Sequence, residues 1–125
     1  FGFWFGPSCS DASAYSGITF TIEGDMGDTE LDFQVQTSDN YPIDDANEKG
    51  ECAYTNEDDK WSECTNNHVV VEYSEPTTVQ IPWEDLVGGK PVATLDPTDL
   101  LGVQLQLNCA DVCNPDITID NLMFY

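Results

Sequence analysis

The segment Leu31-Asp32-Phe33-Gln34-Val35-Gln36 alternates apolar and polar residues without interruption, and Val103-Gln104-Leu105-Gln106-Leu107 repeats the pattern. Strict alternation with period two is typical of an antiparallel strand with one buried face and one solvated face. Both segments place glutamine on the solvated face. Two such strands side by side would present a row of uncharged amides, which donate and accept hydrogen bonds. Such a row suits sugar hydroxyls better than acid-base chemistry.

Turn-forming residues separate seven short segments with strand character. The predicted strands are residues 2–5, 17–23, 30–36, 69–72, 77–82, 102–107 and 116–125. Residues 24–28 are rich in Gly and Asp and predict a hairpin loop between the second and third strands. Asp96-Pro97 predicts one short helical turn that ends before Gly102. With 125 residues, this all-β pattern fits a single sandwich domain over residues 1–125.

Acidic residues dominate the charge of the chain. Three lysines and no arginine stand against 24 Asp and Glu, which gives a formal net charge of −21. Nucleic-acid binding relies on clustered Lys and Arg, so we expect neither nucleic-acid nor membrane partners. The same field attracts cations such as calcium. No apolar run approaches the roughly 18 residues of a spanning helix.

Five cysteines in a small acidic chain indicate an oxidising compartment, so we expect a secreted or cell-surface protein. The chain has no CxxC pair and a single histidine, which favours disulfides over a zinc site. Cys52 and Cys64 bracket a polar loop and are expected to bond. Cys109 and Cys113 are close enough to bridge each other, but Cys9 could equally take one of them.

Six stretches occur in an order that resembles the galactose-binding-like β-jelly-roll of secreted carbohydrate-binding modules. They are residues 2–5, 11–20, 31–37, 78–86, 97–104 and 116–125. The resemblance implies a two-sheet antiparallel β-sandwich (jelly roll) that binds a glycan on its concave sheet or loop edge without cleaving it. Members usually carry one or two strands before Gly2-Phe3-Trp4-Phe5, so the chain is expected to be truncated at its N-terminus.

The polar residues of the two glutamine strands form a candidate sugar platform together with one tryptophan. Amides would hydrogen-bond hydroxyl groups while the aromatic ring stacks on a sugar ring. The members are Trp4, Asp32, Gln34, Gln36, Gln104 and Gln106. The alternative is an ordinary solvated outer sheet, since antiparallel sheets commonly carry polar residues on one side.

A long acidic segment, residues 38–67, adds candidate contacts at the rim. Tyr41, Tyr54 and Trp61 could stack on a glycan, or they could pack down to anchor the segment. His68 begins a predicted strand and could hydrogen-bond a ligand, although a single histidine at such a position is more often structural.

Calcium is the cofactor that the resemblance implies. Asp120 on the last predicted strand matches the family position that usually meets the ion, and Asp116 or Glu23 could join it. Calcium takes six or more oxygen ligands, and residues upstream of Phe1 could supply some of them. The alternative is that Asp120 only caps a strand.

We therefore expect an extracellular module that binds a polysaccharide such as a β-glucan and is not an enzyme. Glycosidases need two carboxyl groups at a set separation, whereas the acids here fall in loops and on outward strand positions. The rival hypothesis is a structural subunit of an extracellular or cell-surface filament or assembly. Its copies would join by self-assembly or by strand addition at an unpaired sheet edge, or it would attach to a larger secreted protein.

Overall fold

Two antiparallel sheets face each other in the computed structural model, which describes residues 1–6 and 8–125. The strands are β1 (Gly2–Trp4), β2 (Gly17–Asp25), β3 (Glu30–Thr37), β4 (Asn67–Val71), β5 (Thr77–Pro82), β6 (Leu100–Asn108) and β7 (Asp116–Phe124). One sheet has the order β1-β6-β3-β4, and the other has the order β5-β2-β7. The expected two-sheet antiparallel β-sandwich is confirmed.

The core lies between the sheets and is built from the apolar half of each alternating strand. Phe20 of β2 stacks on Phe33 of β3 with a ring-centroid separation of 5.5 Å, which joins the two layers. Leu31, Val35 and Leu105 are fully buried beside them. Burial of one such side chain contributes about 1.5–3 kcal/mol. Because a shift of one residue would bury the glutamines instead, this packing fixes the strand register.

The polar halves of β3 and β6 point away from the core. β3 pairs with β6 on one side and with β4 on the other, so Gln34 lies opposite both Gln104 and His68. β1 pairs with the far side of β6, where Trp4 lies opposite Gly102. The outer face of this sheet therefore carries amides at its centre and an aromatic ring at one edge.

The predicted hairpin at residues 24–28 is wrong. β2 and β3 are consecutive strands but belong to different sheets, and the short turn between them crosses from one layer to the other. Asp25 Oδ1 accepts a hydrogen bond from the backbone N–H of Gly27 at 2.8 Å, which closes this turn. Gly and Asp correctly indicate a tight turn, but they do not determine whether the flanking strands pair with each other.

The helical turn predicted after Asp96 is also wrong. Asp96 Oδ1 accepts hydrogen bonds from the backbone N–H and the hydroxyl of Thr98 at 2.9 and 2.7 Å, which makes a non-helical turn. β6 begins at Leu100 and runs through Gly102. The helical turns lie elsewhere, as the 3-10 turns Glu57–Asp59 and Trp83–Asp85 and the one-turn helix α1 (Lys60–Glu63).

Both disulfides join cysteines for which a bridge was proposed. Cys52 bonds Cys64, as expected, and Cys109 bonds Cys113. Cys9 lies outside both bridges and is exposed. Two disulfides indicate an oxidising environment. Among the helices of the described residues, none has the length and apolar character that crossing a bilayer requires.

Candidate functional site

A cleft of about 500 Å³ opens on the outer face of the four-stranded sheet. The side chains of β3 and β6 form its floor, and the segment that leads into β4 forms one wall. Its lining residues are Asp32, Gln34, Gln36, Tyr41, Trp61, Cys64, Thr65, Asn66, His68, Gln104 and Gln106. We call this site the polar cleft.

The glutamines of the floor are hydrogen-bonded to one another. Gln34 Nε2 donates to Gln106 Oε1 at 3.3 Å, and Gln36 Nε2 donates to Gln104 Oε1 at 3.4 Å. Gln34 Nε2 also donates to Asp32 Oδ2 at 2.7 Å. These contacts hold the amides in fixed orientations, so a ligand meets donors and acceptors that are already placed.

The wall of the polar cleft comes from the turn before β4. Asn66 Nδ2 donates to Gln34 Oε1 at 2.9 Å, which ties the wall to the floor. His68 lies half-buried at the base of the wall, and its Nδ1 is 3.4 Å from the carbonyl oxygen of Asn66. The imidazole therefore faces the same space as the glutamines.

Aromatic rings line the rim. Tyr41 contacts Trp61 edge to face at a centroid separation of 5.6 Å, and Trp61 is 56% exposed. On its other side Tyr41 contacts Trp4 at 5.3 Å. Trp4 lies in an adjoining cleft that shares Gln36 and Gln104 with the polar cleft. The three rings thus form a continuous apolar edge beside the amides.

The Tyr41 hydroxyl remains a hydrogen-bond donor over a wide pH range. Partial burial raises the pKa of this phenol, and the nearby Asp44 carboxylate raises it further, while Lys60 acts in the opposite direction.

Tyr54 lies outside the polar cleft, in a neighbouring depression that shares Tyr41 and Trp61 with it. Its hydroxyl donates to Glu57 at 2.7 Å.

A buried amide pair anchors the rim to the sheet. Asn40 and Asn67 are fully buried, and Asn40 Nδ2 donates to Asn67 Oδ1 at 2.9 Å. Asn40 also exchanges hydrogen bonds of 2.8 Å with the backbone N–H and carbonyl of Val92. Together with the Cys52–Cys64 disulfide, this pair fixes the segment that carries Tyr41 and Trp61.

Two buried oxygen atoms beside the polar cleft have no hydrogen-bond partner within the part of the chain that the structure describes. They are Oδ1 of Asp32 and Oγ1 of Thr65, and both residues line the cleft. A polar atom left unsatisfied away from water costs about 1–3 kcal/mol.

The structure brings most of the predicted platform together. Asp32, Gln34, Gln36, Gln104 and Gln106 line one cleft with Trp61 and His68, while Trp4 and Tyr54 lie in the two adjoining depressions. Sequence reasoning missed Thr65 and Asn66. The register that places them beside Gln34 comes from the pairing of β4 with β3, which alternation alone does not reveal.

The three candidate calcium ligands lie on the other sheet. Glu23, Asp116 and Asp120 are exposed on the outer face formed by β2 and β7, and Asp120 Oδ1 accepts from the backbone N–H of Asn121 at 2.7 Å. Glu23 and Asp120 share a depression that Asp116 does not line. Across residues 1–6 and 8–125, His, Cys, Asp and Glu side chains form no group of three that could hold a metal ion. Calcium binding stays a prediction.

No protein-family model, curated protein or solved structure matches the chain.

Proposed function

We propose that this protein is a secreted or cell-surface module that binds a β-glucan-like polysaccharide in the polar cleft without cleaving it. The observation that carries the proposal is the combination of four hydrogen-bonded glutamines with an exposed aromatic rim on one side of the molecule. Amides match sugar hydroxyls because both kinds of group donate and accept. Aromatic faces cover the apolar face of a pyranose ring.

The acid content of the cleft supports binding rather than hydrolysis. Asp32 is the single carboxylate among the lining residues, whereas glycoside hydrolysis commonly uses two carboxyl groups on opposite sides of the scissile bond. The two disulfides support an extracellular location.

The test is affinity electrophoresis through gels that contain soluble mixed-linkage β-glucan, followed by calorimetry with cellohexaose. Trp61→Ala should weaken binding at least about tenfold, because the stacking contact of an exposed aromatic ring is lost. Gln34→Ala should weaken it a few-fold, because hydrogen bonds to hydroxyls are lost. Tyr15→Ala is the matched control, since Tyr15 is an exposed aromatic that packs against Phe124 of the other sheet.

Retention by the gel that is insensitive to Trp61→Ala and Gln34→Ala would place any glycan site elsewhere. Unretarded migration in gels containing β-glucan, cellulose derivatives or xylan would count against the proposal as a whole. Reducing-sugar release by the purified protein would overturn its non-catalytic character.

A second candidate function, strand addition in an extracellular assembly, is favoured by one edge of the sandwich. Phe3 lies opposite buried Val103 and Phe1 pairs with buried Leu105, so both face the core side, yet they are 66% (Phe1) and 52% (Phe3) exposed. Next to them, Phe5, Leu122 and Phe124 line an apolar groove of about 260 Å³. Within residues 1–6 and 8–125, β1 and β7 are edge strands, each paired with one neighbouring strand.

An extended segment with alternating apolar residues would cover this groove and continue one of the sheets. Light scattering over a concentration series tests the idea. Assembly that disappears in a Phe1→Ser/Phe3→Ser variant would support it, and a monomer at all concentrations would contradict self-assembly.

A further inference from the structure

Asp32 is the carboxylate of the polar cleft, and no described lysine or histidine forms an ion pair with it. Its Oδ2 accepts from Gln34 Nε2 at 2.7 Å, while its Oδ1 is buried and accepts no hydrogen bond from any described residue. The single ion pair among those residues joins Lys60 to Glu57 on the rim. Charges removed from water are normally paired, because an unpaired buried charge is costly. Asp32 therefore carries a negative charge in the cleft lining that no described cation pairs with, and a cationic group on a ligand would supply the opposite charge.

The surroundings of the cleft favour a cationic ligand. Residues 38–67, which form the rim, contain nine Asp and Glu against two Lys, and the chain as a whole carries −21. A surface of one sign raises the local concentration of oppositely charged ligands. The groups that oppose this attraction are His68 in the lining, which becomes positive when protonated, and the ammonium groups of Lys49 and Lys60 on the rim.

The rim aromatics already hold ammonium groups. Nζ of Lys49 lies 4.0 Å from the ring centroid of Trp4, and Nζ of Lys60 lies 5.7 Å from that of Trp61. An ammonium over an aromatic face is attracted by the negative face of the ring. The exposed Trp61 ring and the Asp32 carboxylate together offer two kinds of contact to an amino group.

We propose that the polar cleft prefers a β-linked glycan that carries free amino groups, such as a deacetylated glucosamine polymer, over a neutral glycan of the same backbone. The inference rests on the proposed function, because it concerns the ligand of the same cleft. The glucosamine ammonium donates to the Asp32 carboxylate, either in place of the Gln34 amide or after the carboxylate turns toward the cleft. The glutamines bind the hydroxyl groups of the same chain.

A matched series of hexasaccharides tests the preference by calorimetry on the unmodified protein. Cellohexaose, fully deacetylated chitohexaose and fully acetylated chitohexaose share a β-1,4 backbone and differ at C2, which carries a hydroxyl, an ammonium or an acetamide. The buffer keeps most glucosamine amines protonated. Deacetylated chitohexaose should bind about tenfold more tightly than cellohexaose, as expected for a hydrogen bond to a charged group. The acetylated form should lose that advantage.

Two variants separate Asp32 from the general negative field. Asp32→Asn keeps the side-chain shape and removes the charge. The ratio of the affinities for deacetylated chitohexaose and cellohexaose should therefore fall toward one. Glu75→Gln removes one exposed charge away from the cleft and should leave the preference unchanged. If Asp32→Asn does not fold, the hexasaccharide series on the unmodified protein still tests the preference.

Equal or tighter binding of cellohexaose would overturn this inference and leave the proposed function standing. A preference for the amino glycan that survives Asp32→Asn would also overturn it, because the selectivity would then come from the overall charge. Failure of all three hexasaccharides and of mixed-linkage β-glucan to bind would overturn the proposed function itself.

Discussion

Gln34 and Gln106 lie on neighbouring central strands, and Gln34 Nε2 donates to Gln106 Oε1 at 3.3 Å across the floor of the polar cleft. Gln34 also accepts from Asn66 and donates to Asp32, so one side chain joins the floor to the wall. The two outward amides therefore work as parts of one preorganised surface. Preorganisation lowers the conformational-entropy cost of ligand binding.

The hydrogen bond between Gln34 and Asn66 is predicted to couple these two residues, both in stability and in glycan binding. Gln34→Ala should lower the free energy of unfolding by about 0.5–1.5 kcal/mol, the typical net value of a hydrogen bond. Gln34→Ala and Asn66→Ala should each lower the affinity for the glycan, because both changes break the same hydrogen bond. Chemical denaturation and calorimetry on both single variants and the double variant measure the coupling. Fully additive effects would contradict a shared network.

The Cys52–Cys64 disulfide is predicted to stabilise both the fold and the rim. Replacing both cysteines by alanine should cost about 3 kcal/mol in unfolding free energy, as expected for a closed loop of this length. Glycan affinity should fall as well, because Tyr41 and Trp61 lose their anchor. Thermal unfolding and affinity electrophoresis measure the two effects.

The second disulfide provides the control for that prediction. Cys109→Ala/Cys113→Ala opens a loop with a separation of only 4 residues, against 12 for Cys52–Cys64, and neither residue lines the polar cleft. It should change stability less and leave binding intact. Equal loss of affinity in both double variants would contradict a specific role of the first disulfide.

Gly102 is predicted to control how closely β1 approaches β6. A Cβ at this position would lie 2.3 Å from the carbonyl oxygen of Phe3, so Gly102→Ala must push β1 away. We expect a loss of about 1–3 kcal/mol in stability, as for other overpacked sites, and faster amide exchange in β1. Gly6→Ala, where the nearest contact is 3.9 Å away, is the matched substitution and should be nearly neutral. Unchanged exchange in β1 would argue against this close approach.

Acid is predicted to loosen the rim. Hydrogen bonds from the hydroxyl and the backbone N–H of Thr55 lower the pKa of Glu63 below its ordinary value of 4.5. A group with a lowered folded-state pKa stabilises the native state above its unfolded pKa, and this contribution is lost as the pH falls through the folded value. Protection of the amides around α1 should therefore decrease below about pH 4.5. Glu63→Gln should weaken that pH dependence and leave the part that comes from Glu57, whose pKa is lowered by hydrogen bonds from Lys60 and Tyr54. Hydrogen exchange over an acid series can measure the difference.

The sequence predicted the strands well because their signal is local. Strict alternation around Gln34 and Gln104 identifies the inner and outer faces of β3 and β6. Burial of the apolar face then allows one strand register. The tight turn at residues 24–28 gave no such information. Its residues favour reversal of the chain whether the next strand joins the same sheet or the opposite one.

The cleft wall could not be predicted for a different reason. Asn66 and Thr65 become part of the site because β4 pairs with β3 and because Asn40 and Asn67 bond beneath the rim. These contacts join residues far apart in the chain, and asparagine carries no periodic signal. The acidic residues around Asp120 show the opposite case, since they stand out in the sequence but lie on the face away from the glutamines.

The most direct test is an NMR titration that follows the side-chain amides and the tryptophan indoles while cellohexaose or β-glucan is added. The account predicts shifts of the NH₂ groups of Gln34, Gln36, Gln104 and Gln106 and of the Trp61 indole. The side-chain NH₂ resonance of Asn121, on the opposite face formed by the other sheet, should stay unchanged. Shifts confined to that opposite face, with the four glutamine amides unmoved, would contradict it.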